Sequence, residues 1–213
     1  MDEIFIDHML AEPELQAEII ARCAAGHFPD EPTDVANSLG DLRLPNGREV
    51  GVWLVHAADS VLLDDLGQTI LITRLHNPGR GKMALPGGLL DAANGGVEAS
   101  QSAALREATE ETGIDPLLLS KAKVIQLGHR QHLRPFDIRR AWNNLPGTPV
   151  RKGELFTVST LGFLVRLHGN LHDIAFKAGD DATAVNIVQA RSVQANDLAV
   201  PDHLDMIHAA LNV

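Results

Sequence analysis

The sequence predicts an α/β domain that contains both strands and helices. From Val50 onward, short β-branched runs at residues 51–57 and 69–75 are separated by turn-forming residues, which is typical of strands. Residues 100–112 are rich in Ala and Glu and predict the clearest helix of the chain. A hydrophobic content of 45% in 213 residues is enough for an ordinary globular core.

The N-terminal region differs from the rest of the chain. Residues 11–25 contain Pro13 and acidic residues in the first turn, then apolar residues at helical spacing up to Cys23, and Gly26 as a stop signal. We therefore predict an amphipathic helix there. The Pro- and Asp-rich residues 28–45 predict a loop or irregular arm that leads into the main domain.

The main domain alternates between strand and helix patterns. The predicted turn between the first two strands covers residues 59–67, and the predicted helix over residues 100–112 has Ser100 as N-cap and Gly113 as its C-terminal stop. The remaining predicted elements are strands within 123–130, 154–167 and 184–193 and a closing helix over 202–213.

Charge and cysteine content limit the partners. A formal net charge of −10 argues against an extended nucleic-acid surface, which needs clustered Lys and Arg. The single Cys23 excludes an internal disulfide and fits a reducing cytoplasm. The acidic N-terminus does not resemble a secretory signal, and the apolar run 161–165 is too short to cross a bilayer. We expect a cytoplasmic protein without a nucleic-acid or membrane partner.

Three glutamates carry the chemical signal. At 100° per residue, Glu107, Glu110 and Glu111 lie on the same side of the predicted helix. Like charges at this spacing destabilise a bare helix by roughly 0.2–0.5 kcal/mol per pair, whereas a hard cation would reverse that cost. Oxygen ligands of this kind suit Mg²⁺, which is typically held by one or two carboxylates and substrate phosphates. The alternative is a solvated helix face, the usual fate of a charge run.

The surrounding residues resemble the Nudix box. Gly87-Gly88 and Glu98 precede Arg106 and the glutamates, and every later position of the box is met up to Ile114. This resemblance covers residues 48–213 and implies the Nudix fold, a mixed β-sheet sandwiched between helices (α/β/α). We assign residues 49–213 to a Nudix hydrolase domain and residues 1–48 to an N-terminal helical arm.

The box departs from the family pattern in one loop. Nine residues separate Gly88 from Glu98, whereas the family has five between its glycine and its first glutamate, and Ala92 stands where that spacing requires glycine. We interpret residues 92–95 as a loop insertion that leaves the helix intact and affects the path of the loop.

The resemblance also implies roles for the box residues. Glu107 and Glu111 would be direct ligands of Mg²⁺, or alternatively Mn²⁺, with the Gly88 carbonyl as another ligand. Glu110 would be a further ligand or the catalytic base. Arg106 and Glu98 would pair and brace the loop against the helix.

Three shorter features resemble the ADP-ribose pyrophosphatase branch of the family: residues 179–182, residues 137–144 and the pair Asp202-His203. Arginines there would bind a pyrophosphate, and Trp142 would stack on a base. The alternatives are an anchoring role for Trp142, a plain turn at residues 180–181, and solvated loop charges at Arg80 and Lys82. The candidate substrate-binding residues are Arg80, Arg139, Arg140, Trp142, Asp180 and Asp181.

We therefore predict hydrolysis of a small nucleotide, ADP-ribose or a nucleoside diphosphate sugar, to a nucleoside monophosphate and a phosphorylated product. Dinucleotides such as NADH and nucleoside triphosphates are alternative substrates, and a non-catalytic ADP-ribose sensor is an alternative of another class. For the N-terminal arm, a cap over the substrate pocket and an element of a homodimer are both open.

Overall fold

A computed structural model of the protein describes residues 17–18, 21–22, 32–43, 47–76, 79–93, 96–131, 139–141, 143–179 and 181–213. The helices are α1 Ser100–Thr112, α2 Pro116–Lys121 and α3 His203–Leu211. The strands are β1 Ala36–Arg43, β2 Glu49–Leu63, β3 Gln68–Arg74, β4 Met83–Ala84, β5 Gly87–Leu89, β6 Ala92–Ala93, β7 Gly96–Val97, β8 Lys123–Gln131, β9 Arg139–Arg140, β10 Leu155–Arg166 and β11 Ala182–Gln189. These residues form two compact units, the first within 1–56, 89–98 and 131–160 and the second within 57–88, 99–130 and 161–213.

The second unit contains a mixed sheet with strand order β11-β3-β2-β10-β8. Strand β3 is antiparallel to β11 and to β2. The C-terminal ends of β2 and β10 lie together, because the amide of Leu167 donates to the carbonyl of Leu63 at 2.9 Å, and this places the two strands parallel. The sheet is therefore mixed, as predicted.

Helices cover both faces of this sheet. Neighbouring strand residues point to opposite faces, so that Ile70 packs in the cluster with Ala108 of α1 and Leu119 of α2, whereas Leu71 packs in the cluster with Ile207 of α3. The buried apolar residues on each face explain why these strands read as apolar runs rather than as alternating ones. The predicted α/β fold with a sheet between helices is confirmed.

The first unit is built on the N-terminal part of β2. Strand β1 pairs antiparallel with it, from Ala36 opposite Val55 to Arg43 opposite Glu49. The two-residue strand β9 pairs with the start of β10. Of the predicted N-terminal helix, the described residues 17, 18, 21 and 22 are helical, and the Arg22 guanidinium donates to the carbonyl of Asp41 at 2.8 Å. The other residues of the predicted helix lie outside the described ones.

Two sequence-based expectations are wrong. The predicted loop over residues 28–45 contains strand β1, whose buried Ala36 and Leu42 are too widely spaced to give a strand pattern. The predicted turn over residues 59–67 is shorter, because β2 continues to Leu63. Asp59 and Ser60 resemble turn residues in sequence but are buried strand residues.

The remaining turn is held by the carboxylate of Asp64, which is 1% exposed. It accepts backbone hydrogen bonds from Leu66 at 2.9 Å, Gln68 at 2.8 Å and Leu171 at 3.1 Å. Because Asp64→Ala would leave these donors without their acceptor, we expect the free energy of unfolding to fall by about 3 kcal/mol or more, measured by urea denaturation.

Asp65→Ala is the matched control, since the half-exposed Asp65 carboxylate accepts from the Gly169 amide at the surface. We expect this change to cost about 1 kcal/mol or less. Equal losses in the two variants would contradict the role given to Asp64. Within the part of the chain that the structure describes, no helix has both the length and the apolar character needed to span a membrane.

Candidate active site

Helix α1 presents the glutamates. It begins at Ser100, and its N-cap is Ala99 rather than the predicted Ser100. Ser100 is buried as the first helical residue, so the cap is displaced by one position. Gly113 adopts the left-handed conformation with φ 64° and closes the helix, as predicted.

The three glutamates do not share one environment. Glu107 and Glu111, four residues apart, are buried, with exposed fractions of 9% and 3%. Glu110 is on the exposed side of the helix. The Arg106 guanidinium links the two environments by donating to Glu107 Oε1 at 2.7 Å and to Glu110 Oε2 at 3.0 Å. The solvated-face alternative therefore fits Glu110 but not Glu107 and Glu111.

The Gly87-Gly88 backbone lies directly against these carboxylates. The Gly87 amide donates to Glu111 Oε2 at 3.0 Å. A Cβ atom on Gly88 would lie 2.4 Å from Glu107 Oε1, and one on Gly87 would lie 1.9 Å from Asp59 Oδ1. Both positions need glycine because carboxylate oxygens occupy the space that a side chain would fill.

The environment of Glu111 disfavours its charged form. Burial, with smaller contributions from the carboxylates of Glu107 and Asp59, raises its pKa from the usual 4.5 to about 8. The Gly87 hydrogen bond and the positive charge of Arg74 oppose this rise without cancelling it. A buried acid with this pKa becomes a stable anion when a positive charge comes close to it.

The donors present fit a hard divalent cation. Glu107, Glu111 and the Gly88 carbonyl offer only oxygen ligands, which Mg²⁺ and Mn²⁺ prefer. Among the residues whose placement is described, no group of three or more His, Cys, Asp and Glu side chains is close enough to hold a metal alone. A Mg²⁺ site needs fewer protein carboxylates than that, because waters and substrate phosphates complete its coordination.

The raised pKa of Glu111 predicts how stability depends on pH. Between pH 4.5 and 8, folded Glu111 keeps a proton that the unfolded chain has released, so stability of the metal-free protein falls as pH rises. One such group contributes at most about 1.4 kcal/mol per pH unit. We expect the Glu111→Gln variant, which cannot ionise, to lose less stability from pH 5 to 8 in urea denaturation with a chelator present.

Glu110→Gln is the control for this measurement, since it removes a carboxylate from the exposed side of the same helix. Its profile should follow that of the parent protein. If the Glu111→Gln profile also ran parallel to the parent profile, the burial effect on Glu111 would be refuted.

The site contains residues that the sequence did not assign to it. Asp59 on β2 is buried beside Gly87 and contacts His203, the first residue of α3. Arg74, at the end of β3, carries a positive charge that acts on Glu111. No spacing pattern relates these residues to the box. Asp202-His203, the opening of the predicted last helix, was part of the resemblance to the ADP-ribose pyrophosphatase branch and had no assigned role. That helix start is confirmed.

The segment before β11 is attached to the C-terminal end of α1. The amide of Gly179 donates to the carbonyl of Glu111 at 3.2 Å, and a Cβ atom on Gly179 would lie 2.6 Å from the carbonyl oxygen of Glu110. The exposed Asp181 carboxylate lies 3.5 Å from His76 Nε2. The turn thus lies beside the C-terminal end of α1, while Asp180 lies outside the described residues.

The other predicted site residues belong to other segments of the chain. Arg80 and Lys82 are exposed in the turn between β3 and β4. In the first unit, Arg139 and Arg140 are half-buried on β9. Trp142 lies outside the described residues, so its stacking and anchoring roles both stay predictions.

The longer loop before α1 contains a small hairpin. Its strands β6 and β7 pair Ala92 with Val97 and Ala93 with Gly96. The backbone amide of Asp91 donates to Glu98 Oε1 at 2.8 Å and closes the base of the hairpin. Of the predicted insertion, Ala92 and Ala93 are thus paired strand residues, whereas residues 94–95 lie outside the described ones. The predicted pair of Arg106 and Glu98 stays a prediction.

Comparisons with known proteins agree with this fold. Residues 53–143 match the family model described as NUDIX domain. A bifunctional NMN adenylyltransferase/ADP ribose pyrophosphatase from Francisella tularensis, solved with AMP and a manganese ion, is 20% identical with a TM-score of 0.51. The match covers 95% of this chain and 47% of that one, so this chain spans about half the length of that protein.

The NUDIX domain of Shewanella oneidensis NrtR, solved with ADP ribose, is 19% identical with a TM-score of 0.50 over 74% of this chain and 86% of that one. No curated protein gives a significant match. At these identities the similar structures establish the fold.

Proposed function

The chain carries a NUDIX domain over residues 53–143, and from this premise we propose that the protein is a divalent-metal-dependent hydrolase of phosphoric anhydride bonds. Its substrate is a nucleoside diphosphate linked to another moiety, with ADP-ribose or a nucleoside diphosphate sugar as the first choice. The products are a nucleoside monophosphate and a phosphorylated second product.

One observation carries the proposal: two buried glutamates of α1 face a Gly-Gly backbone. Glu111 accepts from Gly87, and Glu107 fills the space beside Gly88. A purely structural pair of buried acids would be costly, because burial disfavours the charged form of each. A cation bound between these carboxylates and a substrate phosphate would offset the cost of burying their negative charges. Metal binding therefore explains why two acids are buried side by side.

The roles of the α1 residues follow from their environments. Glu107, Glu111 and the Gly88 carbonyl would hold Mg²⁺, with Mn²⁺ as the alternative. When bound, the ion would neutralise charge on the phosphate oxygens and lower the pKa of an attacking water. The exposed Glu110 is within reach of solvent and is the candidate base, while Arg106 orients Glu107 and Glu110 and would pair with Glu98.

Cationic residues would bind the pyrophosphate. Arg74 is added to the predicted set because its charge acts on Glu111 inside the site. The predicted substrate-binding residues Arg80, Arg139, Arg140, Trp142, Asp180 and Asp181 keep their proposed roles. The structures with ADP ribose and with AMP and manganese support an adenosine diphosphate compound as the first substrate to test.

A substrate panel with Mg²⁺ and product chromatography tests this proposal. ADP-ribose, nucleoside diphosphate sugars, NADH and nucleoside triphosphates are compared at equal concentration. We expect AMP and ribose 5-phosphate from ADP-ribose at a rate that a chelator abolishes. Binding of ADP-ribose without turnover would support the sensor alternative, and faster cleavage of NADH or of a triphosphate would reassign the substrate.

The N-terminal arm, residues 1–48, is part of the proposal as a cap or a homodimer element. Its described helical residue Arg22 bonds to the carbonyls of Leu39 and Asp41 on β1, so the helical segment is attached to the first unit. Because β1 belongs to the sheet, the informative deletion ends before it, at residue 31. We expect this deletion to lower turnover or to convert a dimer to a monomer, measured by light scattering.

An unchanged monomer with full turnover would contradict both roles of the arm. The cytoplasmic location stays part of the proposal and is supported by the single Cys23.

A further inference from the structure

Two buried side chains that contact each other, Asp59 and His203, lie next to the Gly87-Gly88 segment. His203 Nε2 is 3.1 Å from Asp59 Oδ2, and the side chains are 6% and 9% exposed. His203 is the first residue of α3, whereas Asp59 lies in the middle of β2. The pair therefore connects helix α3 with strand β2, which packs against Gly87.

The hydrogen bonds define the tautomer of His203. The backbone amide of Leu85 donates to His203 Nδ1 at 3.0 Å, so Nδ1 is an acceptor without a proton. In a neutral ring the proton is then on Nε2, which donates to Asp59 Oδ2. The ring thus bridges two neighbouring segments, β2 and the chain leading to Gly87.

Asp59, which is held by His203, packs directly against Gly87. Its Oδ1 atom occupies the space where a Cβ atom of Gly87 would be, at 1.9 Å from that position. The neighbouring Ser60 amide donates to the carbonyl of Pro86 at 2.8 Å and fixes the same stretch of backbone. Gly87 is therefore packed against Asp59 on one side and donates its amide to Glu111 on the other.

We propose that His203, acting through Asp59, is a positioning residue that holds the Gly87-Gly88 backbone against Glu107 and Glu111. The proposal deepens the proposed function and rests on it only where metal binding is concerned. Hydrogen bonds behind the ligands of a metal site fix the orientation of those ligands, and their loss typically weakens metal binding about 10- to 100-fold. His203 and Asp59 are suited to this role because both are buried and partnered.

The first test uses the metal-free parent protein and nitrogen NMR of its histidine rings at pH 7. We expect His203, assigned by its disappearance in His203→Gln, to be neutral with the proton on Nε2. A protonated ring, or a neutral ring with the proton on Nδ1, would overturn the proposal. The tautomer is measured on the parent protein, and His203→Gln serves only to assign the signal.

The second test measures hydrogen exchange of the Gly87 amide in metal-free variants. His203→Leu removes both ring hydrogen bonds, and we expect exchange at Gly87 to be about tenfold faster or more. His203→Gln retains a side-chain donor and an acceptor, so it should restore most of the protection. His208→Leu, an exposed histidine of the same helix, is the matched control and should leave Gly87 unchanged.

Asp59 is tested by a double-mutant cycle with Mn²⁺ affinity as the readout. We expect His203→Leu to weaken binding about tenfold or more, and to have little further effect in the Asp59→Ala background. Additive losses would show that His203 does not act through Asp59. A folded His203→Leu protein with parental Gly87 exchange would overturn the proposal outright.

These outcomes separate the two proposals. A protein that shows the expected tautomer and Gly87 protection but hydrolyses nothing would contradict the proposed function and retain the positioning role. If the parent hydrolyses its substrate but His203→Leu leaves hydrogen exchange at Gly87 unchanged, the positioning role is contradicted and the proposed function is retained.

Discussion

In the proposed hydrolysis of ADP-ribose, the Glu111→Gln protein is expected to be slower than the parent by about a hundredfold or more. A metal ion that stabilises charge in the transition state lowers the activation free energy by several kcal/mol. Each 1.4 kcal/mol of that stabilisation changes the rate about tenfold, so loss of a carboxylate that holds the ion should slow the reaction strongly. The substitution preserves shape, and a glutamine oxygen still accepts from the Gly87 amide. Stability and activity should therefore separate: the metal-free variant folds at least as stably at pH 8 while turnover is lost.

The measurement is the initial rate of AMP release with Mg²⁺, together with thermal unfolding of the same samples. Asp205→Asn, which neutralises an exposed carboxylate on α3, is the control and should turn over at the parental rate. Full activity of a folded Glu111→Gln protein would remove Glu111 from the catalytic machinery.

Gly88→Ala is the second change with a large expected effect. The new methyl group would lie 2.4 Å from Glu107 Oε1 and 2.5 Å from Glu107 Cδ, so the carboxylate must move away from the backbone. We expect a loss of about 1–3 kcal/mol in stability from the overpacking. The Gly88 carbonyl and Glu107 would no longer be held in their shared arrangement, so Mn²⁺ affinity should fall about tenfold or more.

Isothermal titration with Mn²⁺ and urea denaturation measure the two effects. Gly96→Ala is the matched control, because the closest atom to its new Cβ would be the carbonyl oxygen of Ala93 at 3.9 Å. Its affinity and stability should stay close to those of the parent. Unchanged Mn²⁺ binding by Gly88→Ala would show that this glycine does not face the cation site.

The elements with a strong local signal could be predicted from the sequence. Helix α1 combines helix-forming residues with Gly113 in the one conformation that glycine adopts easily, and its observed range matches the predicted one. Strands β3 and β10 have consecutive buried residues and lie where apolar runs occur in the sequence. Strands β8 and β11 also lie within segments predicted as strands. In both cases the determinant of the structure is local in sequence.

The residues behind the site could not be found in this way, because their signal is tertiary. Asp59 and Ser60 predict a turn by local preference, yet they occur inside β2. Their polar groups are satisfied by His203, 144 positions later in the numbering, and by the carbonyl of Pro86. Nothing close in sequence to Asp59 indicates such partners. From the sequence alone, the buried polar residues Asp59 and Ser60 therefore resemble residues of a surface turn.

The glutamates show the same limitation in a milder form. Helical spacing placed Glu107, Glu110 and Glu111 on one side, but it could not distinguish the buried pair from the exposed residue. Tertiary packing of the helix determines which side chains are buried. Glu107 and Glu111, four residues apart, are buried together, whereas Glu110 is exposed to solvent. Strand β1 was missed because it is largely exposed and has few apolar positions.

The most direct measurement is an electron paramagnetic resonance titration of Mn²⁺ in the presence of AMP, comparing the parent with Glu107→Gln/Glu111→Gln. AMP is included because substrate phosphates complete the coordination of such sites. We expect saturable binding to the parent and a loss of about a hundredfold or more in affinity in the folded double variant. Equal binding by both proteins, or none by the parent, would contradict the assignment of a cation site to helix α1.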